Sequence, residues 1–388
     1  FEDGSFIRTS ERSGYNHIYH FDRDGNMLGA VTSGEWEVSN LIAVDLISTK
    51  VFFTGKHESV IESHFYSINL DGSDFKRLTD QTGWHRINMN PDASIYIDSF
   101  SNTRRPLAIS GFLSSGEMLR EISITDISQY HEYSWSYPEN FQIETSDNRT
   151  KLNAMITYPR DFNPDKKYPV LIYGYSGPAS QVVGNFWDRR GWHQFMSQQG
   201  YIIFSVDHRG TGGRGTAFKH LAYKDIGKWM VNDQIEGVSY LKSLPFVDEN
   251  RIGVWGWSGG GYLTAMCMTK GAPHFNVGIA VAPVTDFRWY DTIWTERYMG
   301  LLSDNESGYE SASAISYIDQ LEGKLLLIHG TGDDNVHSQN SFRMVQEAVT
   351  ARKQIDMFFY PNKNHGIRGP KTTYHLYSKM TNYILENL

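Results

Sequence analysis

The stretch of this 388-residue sequence best suited to covalent chemistry is Gly256-Trp257-Ser258-Gly259-Gly260. It fits Gly-x-Ser-x-Gly, follows the apolar run Arg251-Ile252-Gly253-Val254-Trp255, and opens a segment, Tyr262 to Met268, that can be helical. Flanking glycines permit a sharp strand-to-helix turn, which lifts the Ser258 hydroxyl clear and aims backbone N–H groups at a developing oxyanion. A serine hydroxyl is a poor nucleophile until a base takes its proton, and the base needs an acid to orient it. Two later loops offer both groups. Asp333 follows the run Leu325 to Ile328 through His329-Gly330-Thr331-Gly332. His365 follows Met357 to Tyr360 through Pro361-Asn362-Lys363-Asn364, and Gly366 permits a tight loop. Asp334 adjoins Asp333 and is its rival for the acid role. His208, His329 and His337 lack this context and read as loop or packing residues.

Elements must hold these loops together. Six apolar runs alternate with longer segments: Pro169–Tyr173, Tyr201–Val206, Arg251–Trp255, Val277–Val281, Leu325–Ile328 and Met357–Tyr360. Continuous rather than alternating apolar runs suit strands covered on both faces, as in a parallel sheet with crossover helices. Thr372 to Leu388 carries Leu376, Met380 and Ile384 at helical spacing and reads as a closing helix. Residues 136–388 are therefore expected to form an α/β domain with a doubly wound, mostly parallel sheet. The order Ser, Asp, His, each just past a strand end, is that of the α/β-hydrolases.

Residues 1–135 have another grammar, of short strands separated by turns. His17-Ile18-Tyr19-His20-Phe21 precedes Asp24-Gly25, and His64-Phe65-Tyr66-Ser67-Ile68 precedes Asp71-Gly72. His17 and His64 stand 47 residues apart, as do Asp24 and Asp71. Each Asp-Gly predicts a hairpin with a type I′ turn. Asn90-Pro91-Asp92 marks a further turn before the strand-like Ser94–Ile97. A period of that length, with about four strands in each repeat, is the size of a β-propeller blade. About three blades fit here, whereas a closed propeller typically takes four to eight, so the others are expected upstream of Phe1.

Composition narrows the partners. Apolar residues make up 40% and charged residues 21%, enough to build sizeable cores. A formal charge of −8 argues against nucleic acid, and the absence of a run of ~20 apolar residues argues against a membrane span. Cys267 is the single cysteine, so no disulfide forms within the chain and thiolate zinc sites are excluded. No metal-ligand motif appears, and neither metal nor cofactor is expected. Gly210-Thr211-Gly212-Gly213-Arg214-Gly215 matches the dinucleotide fingerprint literally, but Asp207-His208-Arg209 separates it from the preceding strand and no helix-forming stretch begins on its third glycine. The chain opens on Phe1 with strand-like residues and no signal-peptide pattern, as though inside a longer protein. A periplasmic or secreted location is the expectation.

Longer motifs sharpen this reading. Trp255-Gly256-Trp257-Ser258-Gly259-Gly260-Gly261-Tyr262, His329-Gly330-Thr331-Gly332-Asp333-Asp334-Asn335-Val336-His337 and Asn364-His365-Gly366 resemble the prolyl oligopeptidase family. Tyr173-Gly174-Tyr175-Ser176-Gly177-Pro178, Val231-Asn232-Asp233-Gln234-Ile235-Glu236 and the string from Tyr290 to Gly300 resemble its dipeptidyl peptidase IV-like branch. The resemblance implies a β-propeller capping an α/β-hydrolase, a peptide substrate, and cleavage through an acyl-enzyme on Ser258 with Asp333 and His365. It implies that Tyr175 and the Gly259 N–H stabilise the oxyanion. Asn335 would bind a substrate carbonyl, and Tyr290, Trp294, Val284 and Val336 would line the pocket for the residue before the cut. A homodimer is a family-level expectation. One departure stands out: the branch has tyrosine directly after the nucleophile, where this chain has Gly259, so the pocket loses a wall. An acylaminoacyl peptidase or carboxylesterase on the same fold is the alternative, and a catalytically silent binding scaffold is a third reading.

Overall fold

The computed structural model describes the backbone of residues 1–388 and every side chain except those of Gln129 and His131. The chain divides into two compact units. The first comprises Phe1–Pro138 with Gly184–Arg189 and Gly212–Lys219; the second comprises Glu139–Val183, Arg190–Thr211 and His220–Leu388. The sequence reading treats each side of residue 135 as continuous, whereas two short segments of the later chain belong to the first unit.

The first unit holds three antiparallel sheets. Strands β1 (Phe6–Ser10), β2 (His17–Phe21) and β3 (Met27–Ala30) form one. Strands β4 (Val38–Asp45), β5 (Lys50–Gly55), β6 (His64–Asn69) and β7 (Lys76–Arg77) form the second. Strands β8 (Trp84–Met89), β9 (Ile95–Ser101), β10 (Ala108–Leu113) and β11 (Met118–Ile124) form the third, and a short helix α1 (Ser128–Glu132) follows. Strand alternation explains why the middle sheet is apolar on both faces. Val51, Phe53, Tyr66 and Ile68 pack in one core with Ile18, while Phe52 and Phe65 point the other way, into a core with Tyr96.

The 47-residue spacing has a physical counterpart. Thr32 and Thr79 share it, and each hydroxyl meets the matching histidine: His17 Nδ1 at 3.0 Å and His64 Nδ1 at 3.1 Å. Both Asp-Gly pairs close hairpins, but only the glycine takes a positive φ, +86° at Gly25 and +85° at Gly72. The Gly25 N–H donates to Asp22 O and the Gly72 N–H to Asn69 O, so these are type I turns with a glycine bulge, not type I′ turns. A third such turn, at Gly116, joins β10 to β11, with serine in place of the aspartate.

The glycine-rich loop that matches the dinucleotide fingerprint is engaged by a carboxylate of the same chain. Glu37 accepts the backbone N–H groups of Gly213 at 3.1 Å and Gly215 at 3.0 Å, within the first unit. Backbone donors that would cradle a phosphate therefore already hold an anion.

The second unit is built on an eight-stranded sheet in the order β12-β13-β15-β14-β16-β17-β18-β19. The strands are β12 (Glu139–Glu144), β13 (Lys151–Thr157), β14 (Tyr168–Tyr173), β15 (Ile202–Val206), β16 (Val247–Trp257), β17 (Val277–Val281), β18 (Lys324–Gly330) and β19 (Asp356–Tyr360). The six from β14 to β19 pair in parallel, and β13 joins β15 antiparallel. Its helices are α2 (Gly191–Gln198), α4 (Ile226–Ser243), α5 (Gly259–Met268), α6 (Thr292–Met299), α7 (Glu306–Ser311), α8 (Gln339–Thr350) and α9 (Pro370–Asn387), while α3 (Gly215–Lys219) lies in the first unit. Consecutive apolar residues split between two cores, which is why the strands read as unbroken runs. Val170, Ile172, Leu325 and Leu327 pack with residues of α4, α5 and α8. Leu171, Ile203, Leu326 and Ile328 pack with Trp192 and Met196 of α2 and with Leu376, Met380 and Ile384 of α9.

Candidate active site

Five adjacent parallel strands end on one side of this sheet, and each releases a loop that carries a predicted site residue. Tyr175 follows β14, Ser258 follows β16, Val284 follows β17, Asp333 follows β18 and His365 follows β19. Open α/β sheets place ligand sites at the carboxyl ends of their strands for this reason. Ser258 sits between the end of β16 and the first turn of α5 with φ of 61° and ψ of −119°, a strained backbone for a residue with a side chain. Its N–H donates to Val281 O at 2.8 Å and its carbonyl accepts from Tyr262 N–H at 2.9 Å, which fixes the elbow to β17 and α5. The Gly259 N–H belongs to the first helical turn, where donors have no carbonyl partner inside the helix.

Asp333 and His365 meet. His365 Nδ1 lies 2.8 Å from Asp333 Oδ2, and Trp257, the neighbour of Ser258, donates its indole N–H to His365 O at 2.9 Å. The other carboxylate oxygen accepts the N–H groups of Asn335 and Val336, both at 3.0 Å. His329 Nε2 stands 3.2 Å from Asp333 Oδ2. Burial alone would raise this carboxyl, but the N–H donors of His329 and His365 outweigh it and hold Asp333 well below the usual carboxylate range. Asp334 is exposed and His337 is exposed, while His208 is buried, with Nδ1 2.7 Å from Arg209 O. His329 is fully buried, as a packing residue would be, yet it lies against Asp333.

Tyr175 and Gly259 are also brought together. A Cβ placed on Gly259 would lie 3.0 to 3.3 Å from three atoms of the Tyr175 ring, so the phenol packs over the bare Cα. Ser176 Oγ donates to Gly259 O at 2.6 Å and ties the same loop to the elbow. Gly259, directly after Ser258, thus lacks a side chain where the Tyr175 ring of the neighbouring loop is seated.

The predicted pocket residues form one aromatic and amide group. Tyr290 and Trp294 meet edge-on with centroids 5.5 Å apart, and the Tyr290 hydroxyl donates to Asn335 Oδ1 at 3.1 Å. That bond leaves the Asn335 NH2 group to donate elsewhere. Burial, then the charge of Asp291, pushes the Tyr290 phenol up, so its proton stays on near neutral pH. Val284 and Val336 are buried in the apolar core against which Tyr290 and Trp294 pack. Phe287 was not singled out from sequence. It stacks on Trp294 with centroids 5.4 Å apart and meets Tyr262 edge-on at 4.8 Å.

Residues 187–388, more than half of the chain, match the model of the prolyl oligopeptidase family. The chain belongs to this family. Residues 1–107 match the N-terminal region of dipeptidyl peptidase IV. This prolyl oligopeptidase family chain is therefore an α/β-hydrolase domain preceded by a propeller segment. It is 34% identical over 382 residues to a probable dipeptidyl peptidase 4 of Aspergillus flavus, covering 94% of this chain and 49% of the relative. It is 38% identical over 378 residues to a probable dipeptidyl-aminopeptidase B of Emericella nidulans, covering 93% of this chain and 41% of that protein. The crystal structure of Porphyromonas gingivalis dipeptidyl peptidase 4 superposes with a TM-score of 0.95 at 38% identity, over 100% of this chain and 55% of the other. The chain spans about half the length of these relatives. Among the described residues no helix is long and apolar enough to cross a membrane.

Proposed function

We propose that this family member is a serine exopeptidase that releases short N-terminal peptides, of the dipeptidyl type, through an acyl-enzyme on Ser258. The observation that carries the reading is a strained Ser258 elbow tied to His365 O through the neighbouring Trp257 indole N–H, beside the Asp333–His365 hydrogen bond, with Tyr175 laid over Gly259. Asp333 fixes the Nδ1–H tautomer of His365, which leaves Nε2 free to act as base. His365 takes the Ser258 proton, and the oxygen attacks the substrate carbonyl. The Tyr175 hydroxyl and the Gly259 N–H stabilise the oxyanion. His365 then protonates the leaving amine, and water repeats the sequence on the acyl-enzyme. Asn335 donates its amide N–H to a substrate carbonyl, and the aromatic pair Tyr290 and Trp294, backed by the buried Phe287, receives the side chain before the cut. The names of the relatives support release of dipeptides.

The test uses the full-length protein and a panel of fluorogenic dipeptidyl and tripeptidyl amides, with N-blocked peptides and simple acyl esters beside them. Unblocked Xaa-Pro and Xaa-Ala dipeptidyl amides should be turned over fastest, and Ser258→Ala should fold normally and lose turnover. Preference for N-blocked substrates or simple esters would replace the exopeptidase reading with the acylaminoacyl or esterase one. Full activity in Ser258→Ala would overturn the assignment of the nucleophile.

A further inference from the structure

His329 is the penultimate residue of β18, four residues before Asp333, and its side chain is fully buried. Its Nδ1 lies 2.7 Å from Ser341 Oγ on α8, and its Nε2 lies 2.8 Å from Val336 O. The Asp333 carboxylate meets Nε2 off-axis at 3.2 Å. A carbonyl and a carboxylate only accept, so Nε2 carries the proton, and Nδ1 accepts from the Ser341 hydroxyl. The neutral ring thereby satisfies every partner. Asp333 in turn accepts the N–H groups of Asn335 and Val336, so the turn 333–336 is closed on itself by the aspartate and closed onto the sheet by His329.

We propose that His329 is a positioning residue: its Nε2–H grips Val336 O beside Asp333 Oδ2, and so sets both the carboxylate that orients His365 and the Asn335–Val336 segment. The inference rests on the serine-hydrolase reading above. The ionisable groups set against Asp333 are His329 from β18, His365 from the loop after β19 and, through space, Tyr290 ahead of α6. From α8 the neighbour is the hydroxyl of Ser341. Removing the His329 N–H leaves the Asp333 charge less balanced. The imidazolium of His365 is then held more tightly, and the base is neutral only at higher pH.

The experiment is the pH dependence of fluorophosphonate labelling of Ser258 in the full-length protein, a readout that needs no knowledge of the peptide substrate. His329→Leu should label about tenfold more slowly, as expected for a catalytic group moved from its geometry. Its acid limb should move to higher pH by about half a unit. His329→Gln, which can return an N–H donor to the Nε2 position, should recover most of the rate and the limb. Ser341→Ala, which unfixes the tautomer without emptying the site, should move the limb in the same direction if His329→Leu does not fold. An unmoved limb in a folded His329→Leu, or in Ser341→Ala where the leucine variant fails to fold, would overturn the proposal, as would a glutamine variant no better than leucine. A wild-type protein that does not label at all would overturn the serine-hydrolase reading and this inference with it.

Discussion

Asp333 receives four donors, and their balance decides what a change at this position does. Asparagine keeps one oxygen for the N–H groups of Asn335 and Val336, but turns an NH2 group toward the N–H groups of His365 and His329. Donor then faces donor, and His365 must flip its tautomer to escape. Asp333→Asn is therefore expected to lower kcat about 10⁴-fold with the fold intact. The same carboxylate sets a pH dependence of stability. Unfolded, an aspartate titrates near ~3.9, and folded Asp333 titrates lower. Between the two values the unfolded chain takes up a proton that the folded one refuses. The contribution is thus whole above the unfolded value and lost as pH falls through the folded one. Thermal unfolding of wild type and Asp333→Asn should differ by a constant gap from about pH 7 to about pH 5, and the gap should begin to narrow below about pH 4. A gap unchanged at about pH 3 would show that the carboxylate is less depressed than its donors imply. Ser258, Asp333 and His365 stand out in the sequence as a candidate set because each follows a strand, and the structure brings Asp333 and His365 within hydrogen-bond distance. The link from His329 to Asp333 does not stand out there, since a histidine inside an apolar run looks the same whether it packs or donates.

At the next scale, the loop after β14 and the first turn of α5 are built as one piece. A Cβ on Gly260 would lie 2.5 Å from Gly174 O, closer than any real pair of such atoms, while Ser176 Oγ holds Gly259 O. Gly260→Ala should push the loop away and carry the Tyr175 ring from its seat on Gly259. Fluorophosphonate labelling should fall about a hundredfold, and melting should report a loss of about 1–3 kcal/mol from overpacking. Wild-type labelling rates in this variant would show that the loop and the elbow are not coupled. The strands that carry the site were readable because residues on both their faces are apolar, so periodicity and composition agree. Strands β12 and β13 were not singled out, because Asn140, Gln142, Lys151 and Asn153 interrupt their apolar residues at the sheet edge. The Asp-Gly turns were placed correctly and typed wrongly. Asp-Gly serves both a type I′ turn and a type I turn with a glycine bulge, and the choice depends on how the flanking strands pair.

The chain as a whole is less divisible than its two grammars suggest. A 47-residue repeat fills the early sequence and six apolar runs fill the later one, so a cut near residue 138 looks natural. Yet Gly184–Arg189 and Gly212–Lys219 lie late in the chain and belong to the first unit. Asn185 N–H donates to Ile61 O at 2.7 Å and its side chain to Glu62 at 2.7 Å. Glu37 takes the N–H groups of Gly213 and Gly215, and Gly14 O takes that of Thr216 at 2.7 Å. Sequence patterning could not show this, because glycine-rich and polar segments carry no periodicity that names their partners. A protein of residues 139–388 alone retains all eight strands of the second unit's sheet but leaves these groups without partners, at about 1–3 kcal/mol for each one that stays buried. It also bares Trp187, which stacks on Trp135 with centroids 5.3 Å apart in the full chain. Such a protein is expected to melt well below the 1–388 chain and to elute as aggregate in size-exclusion chromatography. A monomeric 139–388 protein with an unchanged melting temperature would show that the two late segments hold their shape without the first unit.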